Sequence, residues 1–315
     1  MRLEDAINMT KQTWNTKDIL EILWVCMVDD YWKDYYKKKI EMLPKSEYFI
    51  SDLDWTFFRG TLQKEACSLF IKFVVSKRYY DINPEEYYEF LKDLEYFNKL
   101  EKAAHNKEIV FWEYLNAWIF LLLKHRKLVD WNDFLNFIRV HFSSKEKIKP
   151  FRFSMAKMKE VIDSGKNFLF VSGAPDFIFD IYLELLKKYI VKNIWKSASN
   201  NIYWFWTNIC EKWEYFAPLW GNSNKTNFIN LLKEKNIITK TLWWMWDTSS
   251  DFGISAALEI PKSLEKWNDF FFINPERKVI EKFDELKTDW INYKMILERK
   301  DLICEFDKND VKILF

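Results

Sequence analysis

The sequence predicts an α/β fold: a doubly wound, mostly parallel sheet with a helical cap inserted after its first strand and a β-hairpin excursion further on. Three observations lead there. Short apolar runs such as Phe168–Ser172 alternate with segments whose apolar residues recur three or four apart, as buried strands followed by amphipathic helices do. From Thr61 to Pro150 the helical period runs on with no strand-like stretch inside it. Apolar residues make up 49% and charged residues 30% of 315, enough for a sizeable core and incompatible with a disordered chain.

Residues 1–46 are charged and read as a helical N-terminal extension, in which Asn15-Thr16 caps a helix over Asp18–Val25. Glu47–Leu53 is a short buried strand that ends in Asp52 and Asp54. Residues 61–150 form the helical cap, with helices over Glu65–Val75, Pro84–Leu100, Trp112–Leu123 and Trp131–His141. The core comprises residues 47–60 and 151–315. Within it fall helix Met155–Ser164, strand Phe168–Ser172, helix Phe177–Tyr189, the hairpin region Asn201–Leu219 and helix Thr226–Lys235. Strand Thr239–Trp246, strand Phe270–Ile273 and helix Arg277–Leu286 follow. Ligands of such sheets bind beyond the carboxyl ends of the strands, where the acidic residues of this chain cluster.

Charge and composition exclude several function classes. The net charge of +1 provides no general electrostatic footprint for nucleic acid or an anionic membrane. Met1–Leu20 has no apolar core of a secretory signal, and the apolar stretch around Ala117–Leu123 is far short of the roughly 20 residues a membrane span needs. Cys26, Cys67, Cys210 and Cys304 are scattered, and His105, His125 and His141 show no metal-ligand spacing. A cytoplasmic protein is expected, and its oligomeric state stays open.

Tryptophan and glycine are out of proportion, 17 against 5, where glycine ordinarily supplies about 7% of a chain. UGA is read as tryptophan in some genetic codes and as glycine in a few bacterial lineages, so the wrong table would print one for the other. Only 8 of the 48 basic residues are arginine, a bias that suits an AT-rich genome. Asp130-Trp131-Asn132 and Asp289-Trp290 would become Asp-Gly turns. Glu211-Lys212-Trp213-Glu214, between the strand-like runs Ile202–Ile209 and Tyr215–Leu219, would gain a residue that tolerates positive φ. The competing reading takes the tryptophans literally, with Trp204, Trp206, Trp243 and Trp244 stacking bases or sugars as a nucleic-acid or carbohydrate binding module.

Chemistry-bearing residues occur in a definite order. Ser51-Asp52-Leu53-Asp54-Trp55-Thr56 places two carboxylates two apart just past a strand, on one side of it if the chain stays extended. Phe170-Val171-Ser172-Gly173 ends the next strand with a hydroxyl, Lys225 opens a helix, and Trp246-Asp247-Thr248-Ser249-Ser250-Asp251 ends a further strand with two more carboxylates. In this order the chain resembles the haloacid dehalogenase-like (HAD) hydrolases, in their phosphoserine-phosphatase-like branch (subfamily IB). That branch shows D-x-D-G-T, then Ser or Thr, then Lys, then G-D-x-x-x-D. Glycine in place of Trp55 and Trp246 would complete both acidic motifs. Tyr203 to Thr207 would likewise read Y-G-F-G-T and Lys212 to Glu214 K-G-E, while Asn274-Pro275-Glu276-Arg277-Lys278 resembles the N-P-x-x-K segment. On this basis Trp55, Trp204, Trp206, Trp213, Trp220, Trp243, Trp244 and Trp246 are read as native glycine. Trp14, Trp24, Trp32, Trp112 and Trp118 stay open.

The resemblance implies a Rossmann-like core and a Mg²⁺-dependent phosphomonoester hydrolase acting on a small phosphorylated metabolite. It implies Asp52 as nucleophile, Asp54 as acid and base, and Asp52, Asp54, Asp247 and Asp251 around the Mg²⁺ ion. Ser172, Gly173, Thr56, Lys225 and Arg59 are the implied phosphate or substrate contacts, with Lys225 offsetting the negative charge. Relatives acting on phosphoserine carry a carboxylate early in the cap. Thr61 and Gln63 stand in that neighbourhood here and Glu65 a little beyond, so phosphoserine is not assigned. A catalytically inactive relative used for interaction is the remaining alternative.

Overall fold

The computed structural model describes residues 30–54, 56–77, 83–106, 108, 111–143, 150–193, 198–209, 217–219, 222–237, 244–246, 269–275, 292–299, 302–307 and 310–313, with residues 2 and 5. The predicted helices Asp18–Val25 and Arg277–Leu286 lie outside them. In chain order the elements are α1 (Asp30–Glu41), β1 (Tyr48–Ser51), α2 (Leu62–Ser76), α3 (Pro84–His105), α4 (Phe111–Lys124), α5 (Trp131–Phe142), α6 (Arg152–Asp163) and β2 (Asn167–Pro175). Then come α7 (Asp176–Asn193), β3 (Ile202–Thr207), α8 (Asn222–Glu234), β4 (Trp244–Trp246), β5 (Asp269–Ile273), β6 (Asn292–Arg299), β7 (Leu302–Asp307) and β8 (Asp310–Ile313).

The strands form one eight-stranded sheet in the order β3-β2-β1-β4-β5-β6-β7-β8. Pairing is parallel from β3 through β6 and antiparallel from β6 to β8. The chain leaves β1 for β2 and β3 on one side and returns to β4 on the other. The end of β1 is thus a topological switch point, where doubly wound sheets open a crevice for ligands. The three strands β6 to β8 extend the sheet beyond the last strand expected from sequence.

Alternation along the central strands shows why the sheet is covered twice. Phe49, Phe168 and Phe170 point to one face, and Tyr48, Ile50, Leu169, Val171 and Phe205 to the other, all buried. On the first face Phe49 stacks on Phe168 at 5.1 Å and Phe57 meets Phe170 edge-on at 5.0 Å, beneath α6 and α7. On the second face α1 and α8 close the layer through Trp32, Tyr36, Ile40, Phe228 and Leu232. Helix α1, the described part of the N-terminal extension, is therefore built into the core. Trp32 donates its indole N–H to Pro218 O at 2.7 Å, and the Tyr36 hydroxyl bonds Trp206 O and Ala217 O.

Between β1 and β2 the described residues form the expected helical insertion, α2 to α5, packed through aromatic rings. Phe134 meets both Phe70 and Phe73 at 5.5 Å, and Phe97 meets Trp118 at 5.4 Å. The hairpin excursion survives as an antiparallel bridge in which Asn208 and Ala217 exchange both backbone hydrogen bonds.

The helix expected over Trp131–His141 forms, and the turn signal just before it resolves as the helix cap. The Asp130 carboxylate accepts from the Asp133 N–H at 2.9 Å as the N-cap of α5, so Trp131 is the first helical residue and packs on Phe134 and Phe177. Among the described residues, left-handed φ occurs at Asn236, Asn274 and Gly165, and at no tryptophan. The Asp-Trp pair at 130–131 thus reflects helix capping, and its backbone has no need of glycine.

Candidate active site

The site gathers at the carboxyl edge of the sheet. After β1 the chain tightens into a turn in which the N–H groups of Phe57 and Phe58 both bond Leu53 O. Asp52 sits at the mouth of this turn, 6% exposed. One of its carboxylate oxygens accepts the Leu53 N–H at 2.7 Å, and the other lies 3.0 Å from the Lys225 ammonium. Lys225 is itself buried in the first turn of α8, where the helix dipole disfavours a cation. Its pairing with Asp52 offsets both that and the loss of water.

Asp54 lies two residues on, and its carboxylate accepts the Leu62 N–H at 3.0 Å, the first amide of α2. Burial, and then the neighbouring Asp52 carboxylate, push its pKa up to about 8. The Leu62 N–H and the Lys225 charge pull the other way and only moderate the shift. Two adjacent acids thus have different environments: Asp52 is held against an ammonium, whereas Asp54 is protonated near neutrality.

Ser172 is fully buried on β2, next to β1 in the sheet. Its position follows from an irregularity. The pairing of β2 with β3 runs in register to Val171↔Phe205 and resumes at Pro175↔Thr207, so Ser172, Gly173 and Ala174 form a bulge opposite Trp206. The Ser172 hydroxyl oxygen accepts the Ala174 N–H at 3.1 Å, which leaves its own proton to be donated. Thr56 contributes a buried Oγ1 with no hydrogen-bond partner among the described residues, a polar atom that a bound oxyanion or water would satisfy.

The other expected residues fare differently. Asp247 and Asp251 lie outside the described residues, as does Trp55. Arg59 is not brought to this group: its guanidinium lies 2.5 Å from the buried Glu298 carboxylate on β6 and over the Phe151 ring at 4.3 Å. Glu65 pairs with His141 of α5 at 2.5 Å, and Gln63 is buried. Trp204 and Trp206 stack at 6.4 Å on the edge strand β3, half-buried, with Lys187 over the first ring, and Phe179 and Lys39 against the second. Glu298 was missed from sequence. Its local signal is weak, one charged residue among several in a mixed strand.

The donor set suits a hard divalent cation. Asp52 and Asp54 supply oxygen only, the donor type that such a cation prefers. Among the described residues no cluster of three or more His, Cys, Asp or Glu forms a complete site. No described helix is long and apolar enough to cross a membrane.

No family model matches the chain, and no curated protein does. Solved structures with similar arrangements are distant. A Bordetella pertussis Tohama I protein with unknown function is 10% identical, over 76% of this chain and 96% of its own, at a TM-score of 0.48. A phosphoserine phosphatase, in a phospho-aspartyl intermediate analogue, is 14% identical over 82% and 96%, at 0.44. A phosphoserine phosphohydrolase-like protein from Francisella tularensis subsp. tularensis SCHU S4 is 15% identical over 78% and 94%, at 0.41. Likenesses this distant are statements about shape alone.

Proposed function

We propose that the chain is a phosphomonoesterase of the haloacid dehalogenase-like kind, working through an aspartyl-phosphate on Asp52. The observation that carries this reading is the buried Asp52–Lys225 pair at 3.0 Å, with Asp54 two residues on and Ser172 on the adjoining strand. A carboxylate nucleophile attacking an anionic phosphate needs positive charge beside it and an acid for the leaving oxygen. Lys225 supplies the first. Asp54, protonated near neutrality, supplies the second, and once deprotonated it takes the proton of the water that cleaves the intermediate. Ser172 and Thr56 donate hydrogen bonds to phosphoryl oxygens. Helices α2 to α5 act as the cap that excludes water during the first step.

The residues that would hold Mg²⁺ are Asp52, Asp54 through its backbone carbonyl, Asp247 and Asp251, the last two by motif. When bound, the ion neutralises the charge that the carboxylates and phosphate bring together. The substrate is a small phosphorylated metabolite. Phosphoserine is not favoured by the early cap, where the Glu65 carboxylate is already engaged by His141.

The same reading takes Trp55, Trp204, Trp206, Trp213, Trp220, Trp243, Trp244 and Trp246 as glycine in the translated protein. The order of the motifs supports it. Trp204, Trp206, Trp244 and Trp246 lie in strands, a backbone open to any residue, so resemblance alone speaks for glycine there.

The test is turnover of an aryl phosphate by protein carrying the native codons, with and without Mg²⁺. Metal-dependent hydrolysis abolished in Asp52→Asn supports the reading; full activity in that variant, or none in the wild type, overturns it.

A further inference from the structure

The helical insertion is joined to the core by two strands of chain, one entering through Arg59 and one leaving through Phe151. Both end on one side chain. Glu298 of β6 is fully buried, and its carboxylate meets the Arg59 guanidinium at 2.5 Å. The same carboxylate accepts the backbone N–H groups of Arg152 and Phe153, both at 2.9 Å. These are the first two amides of α6, a helix N-terminus that favours an anion. The two strands are also bonded to each other, Phe151 N–H to Phe57 O at 3.1 Å and the Ser154 hydroxyl to Thr56 O at 2.5 Å. Glu298 is in turn fixed from behind. Its own N–H is accepted at 2.8 Å by the side chain of Asn274, a residue held at φ 46 after β5.

A buried carboxylate is retained only where its partners replace water. Here every described partner belongs to one of the two connecting strands. We propose that Glu298 is the hinge clamp of the cap, a positioning residue whose single carboxylate ties both connections to β6 and sets the orientation from which α2 to α5 close over Asp52 and Asp54. Leu62, whose N–H bonds Asp54, begins only three residues after Arg59, so hinge geometry passes directly to the acid. The clamp itself stands on geometry, and its catalytic consequence rests on the phosphatase reading.

The experiment follows hydrogen–deuterium exchange in the full chain, wild type against Glu298→Gln and Arg59→Lys. Glu298→Gln is expected to speed exchange at least tenfold in peptides covering both 56–60 and 150–154, with strand β2 unchanged. Arg59→Lys is expected to loosen 56–60 and leave 150–154 protected. For aryl phosphate, Glu298→Gln is expected to lower kcat several-fold more than it raises KM. For Glu298→Gln, exchange rising in one connection only, or in neither, overturns the clamp, as does a uniform rise that includes β2. If Glu298→Gln fails to fold, Arg59→Lys decides: loosening of 56–60 alone supports the clamp, and no loosening of 56–60, or loosening of both peptides, overturns it. An inactive wild type with clamp-like exchange counts against the phosphatase and leaves the clamp standing.

Discussion

The ammonium of Lys225 lies 3.0 Å from the carboxylate of Asp52, although they are 173 positions apart, one in the first turn of α8 and the other just past β1. The pair is about nine-tenths buried on both sides, so each charge lies largely out of water beside the other. Removing one partner of a buried pair typically costs about 3–5 kcal/mol, because the survivor stays desolvated. Lys225→Met is therefore expected to lower stability by about 3 kcal/mol, read by urea unfolding. Asp52→Asn combined with Lys225→Met should recover much of that loss. A double variant as unstable as the sum of the singles would contradict the coupling.

Asp54 predicts a pH dependence. Its ordinary value is 3.8 and its folded value about 8, so between these the unfolded chain has lost a proton that the folded protein keeps. Stability contributed by the protonated form is then full below about pH 4 and declines as pH rises toward 8. Metal-free wild type should lose stability from pH 5 to pH 8 more steeply than Asp54→Asn, which has no carboxyl to ionise. Equal slopes would place the Asp54 pKa near its ordinary value.

Ser172→Ala leaves the Ala174 N–H without its side-chain acceptor but keeps the bulge that places residue 172. Losing one buried hydrogen bond is worth about 1 kcal/mol. Turnover of aryl phosphate is expected to fall at least tenfold, out of proportion to this stability change. A drop explained by unfolding alone would remove Ser172 from the site.

The tryptophans divide by environment. Trp32 is buried, donates to Pro218 O at 2.7 Å and packs against Tyr36, so glycine there should cost about 3–5 kcal/mol, as large aromatic deletions do. Peptide mass analysis of protein from the source cells is expected to show tryptophan at 32 and glycine at 55 and 246. Tryptophan at 55 would end the recoding proposal, and glycine at 32 would contradict the packing of α1.

Much of the fold was legible because burial writes a period into the chain. Phe168 to Val171 alternate between two covered faces, and α2, α3 and α5 carry apolar residues three or four apart. The strands β6 to β8 were not read. They are joined by very short connections, and β6 mixes Lys294, Glu298 and Arg299 into its apolar run. At Asp130 the sequence offered both a turn signal and the start of a helix over Trp131–His141; the helix formed, because the same Asp serves as turn former or N-cap.

By itself the sequence determined the acids, the hydroxyl, the lysine and their order along a doubly wound chain, because spacing and periodicity are local. Only the tertiary structure decided what these groups do to one another. It paired Lys225 with Asp52, moved Asp54 toward neutrality by burying it beside a second carboxylate, and drew Arg59 to Glu298. Each of those outcomes depends on through-space distance and on the exclusion of water, which the order of residues does not carry.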